Sequence, residues 1–158
     1  MKYLISKKGY KNLEKSLSEI DDEIIKTQRK MGESVKKDND LRENPEFMDL
    51  RVKAMYTLPS EKENVIKMIN NAIIIEDTAE FKNAENTAVY IGSTVKIDFD
   101  GEVEEFTILG SNEGDLTNNI LSCDSPLAQK LINRKIGEEF YFRNMKIKIL
   151  EITRALTL

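Results

Sequence analysis

The stretch Lys37-Asp38-Asn39-Asp40-Leu41-Arg42-Glu43-Asn44-Pro45 divides two long segments that share one apolar repeat, and its reading decides the fold. Before it, Tyr10, Leu13, Leu17, Ile20, Ile24, Met31 and Val35 are spaced near a coiled-coil repeat, flanked by Lys11, Glu14, Lys15, Glu19, Asp21 and Lys30. After it, Phe47, Leu50, Ala54, Leu58, Val65, Ile69, Ala72 and Ile73 continue in the same way. A narrow apolar seam bordered by charge is the pattern of two helices that pack mainly on each other. Asn44-Pro45 starts the second helix, with Asn as N-cap and proline at the first helical position, where a missing N–H costs nothing. So short a connection joins antiparallel helices. Residues 1–75 are therefore expected to form a coiled-coil hairpin with its turn at 38–43.

Residues 6–37 would span about 45 Å at roughly 1.5 Å per residue, too long for a helix lying on a small core. Gly32 is a weak spot within it. In the second helix, Pro59 removes a hydrogen bond and crowds the preceding turn. Ser60-Glu61-Lys62-Glu63 fits a capping box. A kink or short break is expected at 58–60, with the helix resuming beyond it.

Residues 76–88 lose the seam and read as a linker. From 89 to 158 the period turns toward two. Val95-Lys96-Ile97-Asp98-Phe99 and Val103-Glu104-Glu105-Phe106-Thr107-Ile108-Leu109 flank Asp100-Gly101, a type I′ hairpin signal. Ile120-Leu121-Ser122 reads as a third strand, and Ser125-Pro126 opens a short helix to about residue 132. Glu139-Phe140-Tyr141-Phe142, then Arg143-Asn144, then residues 145–152 make a last hairpin. The expected class is α+β: a helical hairpin followed by a small antiparallel sheet with one short helix.

Composition removes much chemistry. The 158 residues include no histidine and a single cysteine, Cys123. Ser-His and Cys-His nucleophile pairs, HExxH zinc helices and zinc-binding cysteine clusters are excluded. No apolar run is long enough for a transmembrane helix, and the first residues carry no signal-peptide core. These features predict a cytoplasmic protein with no membrane association. The net charge of −4 argues against general DNA coating, although residues 1–75 hold 15 Lys and Arg against 13 Asp and Glu.

The turn concentrates Asp38, Asp40, Glu43, Glu46 and Asp49. Carboxylates suit hard cations such as Mg²⁺. An EF-hand is excluded, because its loop glycine is missing and Asp49 stands where its last glutamate would be. A solvated helix–helix turn is also often acidic, so composition alone leaves both readings open. Lys36, Lys37, Arg42, Arg51 and Lys53 line the flanking helices, either as a nucleic-acid-facing set or as ordinary helix-surface charge.

Asn39-Asp40-Leu41-Arg42-Glu43-Asn44-Pro45-Glu46-Phe47 resembles the acidic tip of bacterial Gre factors, closer to the GreA than the GreB type. Leu4-Ile5-Ser6-Lys7-Lys8-Gly9-Tyr10-Lys11-Asn12-Leu13 is similar to the family's opening motif. Ile91-Gly92-Ser93-Thr94-Val95 resembles its Phe-Gly-x-x-Val element, and Ile120-Leu121-Ser122-Cys123-Asp124-Ser125-Pro126-Leu127-Ala128 its Ile-Ser-x-x-Ser-Pro-Leu-Gly element. The motifs run in family order over the whole chain. Asn39, Pro45 and Pro59 depart from the pattern, standing where the family has glycine, alanine and an uninterrupted helix.

The resemblance implies an FKBP-like C-terminal domain without prolyl isomerase activity. It implies a transcription elongation factor that binds bacterial RNA polymerase and inserts its tip into the secondary channel. There it would stimulate the polymerase's own cleavage of backtracked RNA. By motif position, Asp40 and Glu43 would be the catalytic pair and would share a Mg²⁺ ion held in the polymerase active site. Lys36, Arg42 and Arg51 would face the nascent RNA 3′ end. Ser122, Asp124 and Pro126 would dock on a coiled coil of the largest subunit, although Ser125-Pro126 also reads simply as a helix start. The protein would be a monomeric catalytic cofactor rather than an enzyme, with no tightly bound cofactor of its own. A Gre-like channel inhibitor and a coiled-coil module unrelated to polymerase are the competing readings.

Overall fold

Ser6 shows why the long helix begins where it does. Its Oγ accepts the Gly9 N–H at 2.9 Å, and its carbonyl accepts the Tyr10 N–H at 2.9 Å, an N-cap followed by the first helical bond. The computed structural model describes residues 2–37, 40, 41, 43–83 and 85–155. In chain order its elements are β1 (Tyr3–Ile5), α1 (Lys7–Lys37), α2 (Pro45–Val52), a π-helical segment (Lys53–Thr57), α3 (Leu58–Asn71), β2 (Ala72–Ile74), a 3₁₀ turn (Ile75–Asp77), α4 (Ala79–Lys82), β3 (Ser93–Phe99), β4 (Glu102–Leu109), a 3₁₀ turn (Leu116–Asn118), β5 (Ile120–Ser122), α5 (Pro126–Leu131), β6 (Glu139–Phe142) and β7 (Met145–Arg154). The contacts fall into two units, residues 11–71 and residues 1–10 with 72–158.

The first unit is the helical arm. On α1, Leu13, Leu17, Ile20, Ile24 and Met31 are half-buried, and the fully buried positions are Thr27 and Ser34. These residues alternate by four and three, so the seam is continuous once Thr27 and Ser34 are counted. Ser34, not Val35, takes the innermost place near its end. Lys62 bonds Asp21 at 2.5 Å and Lys53 bonds Glu23 at 2.6 Å, both across the antiparallel helix pair. The Lys53 hydrogen bond also holds the Glu23 carboxyl below its ordinary pKa.

Pro59 does not break the helix at 58–60. The irregularity lies before it, where Lys53–Thr57 winds as a π-helix and the Leu58 N–H reaches back five residues to the Lys53 carbonyl. A proline ring crowds the turn on its N-terminal side, so the wider winding falls there. The extra residue carries the seam from Ala54 to Leu58, which is 4% exposed. Ser60 is interior to α3, so the expected capping box does not form.

The second unit begins and resumes at its shortest sheet. β1 and β2 pair in parallel, Tyr3 with Ala72, Leu4 with Ile73 and Ile5 with Ile74. The helical pattern expected to reach residue 75 therefore ends at Asn71, and the chain division at 75/76 moves. Ile73 and Ile74 are β-branched, and the run Ala72–Ile74 meets a partner about seventy residues distant in sequence, which local periodicity does not register. Within the expected linker, Thr78 caps α4 by accepting the Phe81 N–H at 3.2 Å.

The larger sheet has the order β5-β4-β3-β7-β6. Asp100 (φ 55°) and Gly101 (φ 96°) turn β3 into β4, and Arg143 (φ 49°) and Asn144 (φ 67°) turn β6 into β7. Val95, Ile97, Ile108, Ile147 and Ile149 are wholly buried, and α5 adds Ala128 and Leu131. On β7 the inward spacing changes from two to three between Ile149 and Ile152, where the register with β3 shifts by a bulge. The class is α+β, but the sheet is mixed, because β5 runs parallel to β4. Asp115 and Ile120 exchange backbone bonds of 2.9 and 2.8 Å, reversing the chain before β5 begins. A three-residue strand carries no signal of its direction, which that loop decides.

Candidate functional site

The helical turn is braced from one side by a buried polar pair. Ser34 Oγ donates to Asn44 Oδ1 at 3.2 Å, and Asn44 Nδ2 donates to the Ser34 carbonyl at 3.3 Å. The same Asn44 Oδ1 accepts the Phe47 N–H at 2.9 Å, so one side chain caps α2 and ties it to the last turn of α1. Both residues are at most 5% exposed, so each bond replaces water that cannot enter. Between them the Glu43 N–H donates to the Asp40 carbonyl at 3.1 Å, an i→i+3 bond that draws the two residues together. Asp40, Leu41 and Glu43 are all exposed. Asp38, Asn39 and Arg42 lie outside the described residues.

Lys36 and Lys37 occupy the last turn of α1 and Arg51 the last turn of α2, all exposed. At the end of α1 such cations complement the helix dipole, whereas Arg51 lies where α2 runs on into the π-helical segment. Lys53 is different, because its ammonium bonds Glu23. Among the described residues no group of three or more His, Cys, Asp or Glu converges to hold a metal ion. Two carboxylates of a turn are too few ligands for a Mg²⁺ ion held by this chain alone.

In the second unit, Ser122, Asp124 and Pro126 follow one another through a tight corner. The Cys123 N–H bonds the Leu109 carbonyl at 2.9 Å, the Asp124 N–H reaches Ser122 Oγ at 3.3 Å, and Ser125 N–H bonds the Ser122 carbonyl at 2.9 Å. Ser125 Oγ then caps α5 at Ala128, with Pro126 in its first turn. Asp124 and Pro126 are exposed and Ser122 is half-buried. Burial raises the pKa of the Cys123 thiol.

The model of the GreA/GreB transcription elongation factor C-terminal domain matches residues 84–154. The GreA transcription elongation factor of Bacillus cytotoxicus is 32% identical over 163 residues, covering 95% of this chain and 96% of its own. The chain belongs to the GreA/GreB family. The GreA of Halalkalibacterium halodurans is 34% identical over 162 residues, covering 96% of each chain. Among solved structures, GreA factor homolog 1 of Thermus thermophilus overlaps 97% of this chain and 99% of its own at 14% identity and a TM-score of 0.43. As a member of the GreA/GreB family, the chain is a transcription elongation factor.

Within this Gre-family chain the candidate residues form two separate groups, Asp40 and Glu43 with Lys36 and Arg51 on the arm, and Ser122, Asp124 and Pro126 on the sheet unit. The buried positions Thr27 and Ser34, the latter bracing Asn44, escaped the sequence reading. Their signal was available as the two gaps in the four-three alternation of α1, filled by small polar residues. No helix among the described residues is long and apolar enough to cross a membrane.

Proposed function

We propose that this chain binds bacterial RNA polymerase, inserts the tip of its helical arm into the secondary channel, and stimulates the polymerase's cleavage of backtracked RNA. The observation that carries the reading is the exposed pair Asp40 and Glu43, drawn together by a backbone bond and braced by Asn44 at the end of a two-helix arm. An α1 of 31 residues extends about 45 Å at roughly 1.5 Å per residue, a suitable reach for a narrow channel.

In this reading the two carboxylates complete the coordination of a Mg²⁺ ion that the polymerase holds weakly. Such an ion activates water and stabilises the departing oxygen of the phosphodiester. Asp40 and Glu43 bind and orient at that site, while the rigid arm limits the conformational freedom they would otherwise lose. Lys36, Arg42 and Arg51 neutralise phosphates of the RNA 3′ segment. Ser122, Asp124 and Pro126 form the second attachment, on the polymerase's largest subunit. The hydrolase is the polymerase, and this chain acts as a monomeric cofactor of it in the cytoplasm.

The test is to add the protein to stalled, backtracked elongation complexes and follow the transcript length. Shortened transcripts are expected with the wild-type protein. Asp40→Ala and Glu43→Ala are each expected to abolish shortening while binding to polymerase is kept. Bound protein that slows elongation without shortening transcripts would instead make it a channel inhibitor. The retained acidic pair and the relatives named GreA favour the stimulating role.

A further inference from the structure

Four large apolar side chains stand in water along one stretch of the arm: Met48 at 43% exposure, Val52 at 52%, Met55 at 54% and Tyr56 at 67%. Their spacing of i, i+4, i+7 and i+8 makes them one stripe rather than scattered exposures. The π-helical segment Lys53–Thr57 sustains it: with the wide turn Ala54 and Leu58 face the seam, and Met55 and Tyr56 are left outward. Contiguous exposed apolar surface of this kind marks contact with another macromolecule.

Resting on the proposed function, we infer that this stripe is a contact surface for an apolar stretch of the polymerase channel wall. Distance identifies the occupant. Met48 is five residues past Glu43 and Tyr56 thirteen, which places the stripe about 8 to 20 Å up the helix from the acidic pair at roughly 1.5 Å per residue. A helical tip cannot reach an enclosed active site unless the segment immediately behind it is enclosed as well. The stripe therefore lies within the channel whenever Asp40 and Glu43 are at work. Its side chains suit that role: methionine adapts to an irregular wall, and tyrosine offers a rigid apolar face with a polar end. The stripe supplies affinity, and the acidic pair supplies the chemistry.

The experiment measures binding of the full chain to backtracked elongation complexes and, separately, cleavage at saturating factor. The double variant Val52→Ser, Tyr56→Ser is expected to bind at least tenfold more weakly and to reach wild-type cleavage at saturation. The conservative pair Val52→Ile, Tyr56→Phe is expected to bind as wild type does. Unchanged helical content by circular dichroism is expected for both, because both side chains are more than half exposed. Wild-type affinity in the serine variant would overturn the inference and leave the proposed function standing. Concentration-dependent dimerisation of the wild type, lost in that variant, would overturn it in favour of a second copy of this chain. Failure of the wild type itself to bind polymerase would reject the function and this inference together.

Discussion

In the sheet unit Val95, Ile97, Ile108, Ile147 and Ile149 are wholly buried, whereas along the arm Leu13, Leu17, Ile20 and Ile24 are only half-buried. Among the described residues the least exposed positions of the arm are Thr27, Ser34, Asn44 and Leu58, and three of those four are polar. Two helices shield a single strip from water, so large apolar groups there gain less from burial than in a covered sheet. The arm compensates with specificity. The Ser34–Asn44 pair is satisfied in one register only, since sliding either helix leaves its polar atoms buried and unbonded. The sheet unit is thus held by apolar volume, and the end of the arm by a few directed bonds.

The largest effect should come from the sheet. Ile149→Ala is expected to cost about 2–5 kcal/mol through lost burial and a cavity, read by urea denaturation of the full chain. Leu17→Ala, at a half-buried position, is expected to cost less than half of that. Equal costs for the two would break the contrast.

Next comes Asn44→Ala. Loss of the cap costs about 0.5–2 kcal/mol, concentrated at the turn. Exchange of the Phe47 amide should quicken and cleavage stimulation should fall, although Asp40 and Glu43 are untouched. Unaltered exchange would mean that helix packing alone holds the tip.

The smallest effect concerns Glu23. Lys53 lowers its carboxyl pKa in the folded arm, so the pair adds stability above the ordinary carboxylate value. That contribution disappears as pH falls through the lowered folded value. The wild type should therefore exceed Glu23→Gln in melting temperature near neutral pH, with the gap closing in acid and in high salt. A gap independent of pH would assign the difference to packing.

Much of this was legible along the chain. The repeat of Leu13, Leu17, Ile20 and Ile24, the cap Asn44-Pro45 and the turn Asp100-Gly101 each act over a few residues, so local sequence carries them. The pairing of β1 with β2 and the parallel direction of β5 depend on residues far apart or on a loop's path, and neither leaves a periodic trace. Pro59 was an intermediate case. Its chemistry predicts a disturbance, and the packing of Leu58 decided that this would be a π-helical turn before the proline rather than a break at it.

The sequence by itself determined the two helices, the acidic pair between them and the alternating strands, because helix caps, turn dihedrals and apolar period are local physics. Only the tertiary structure decided that Ser34 would brace Asn44 and that Met48, Val52, Met55 and Tyr56 would stay in water. Those outcomes depend on which face of each helix its partner covers, a property of the packed pair that neither helix carries alone.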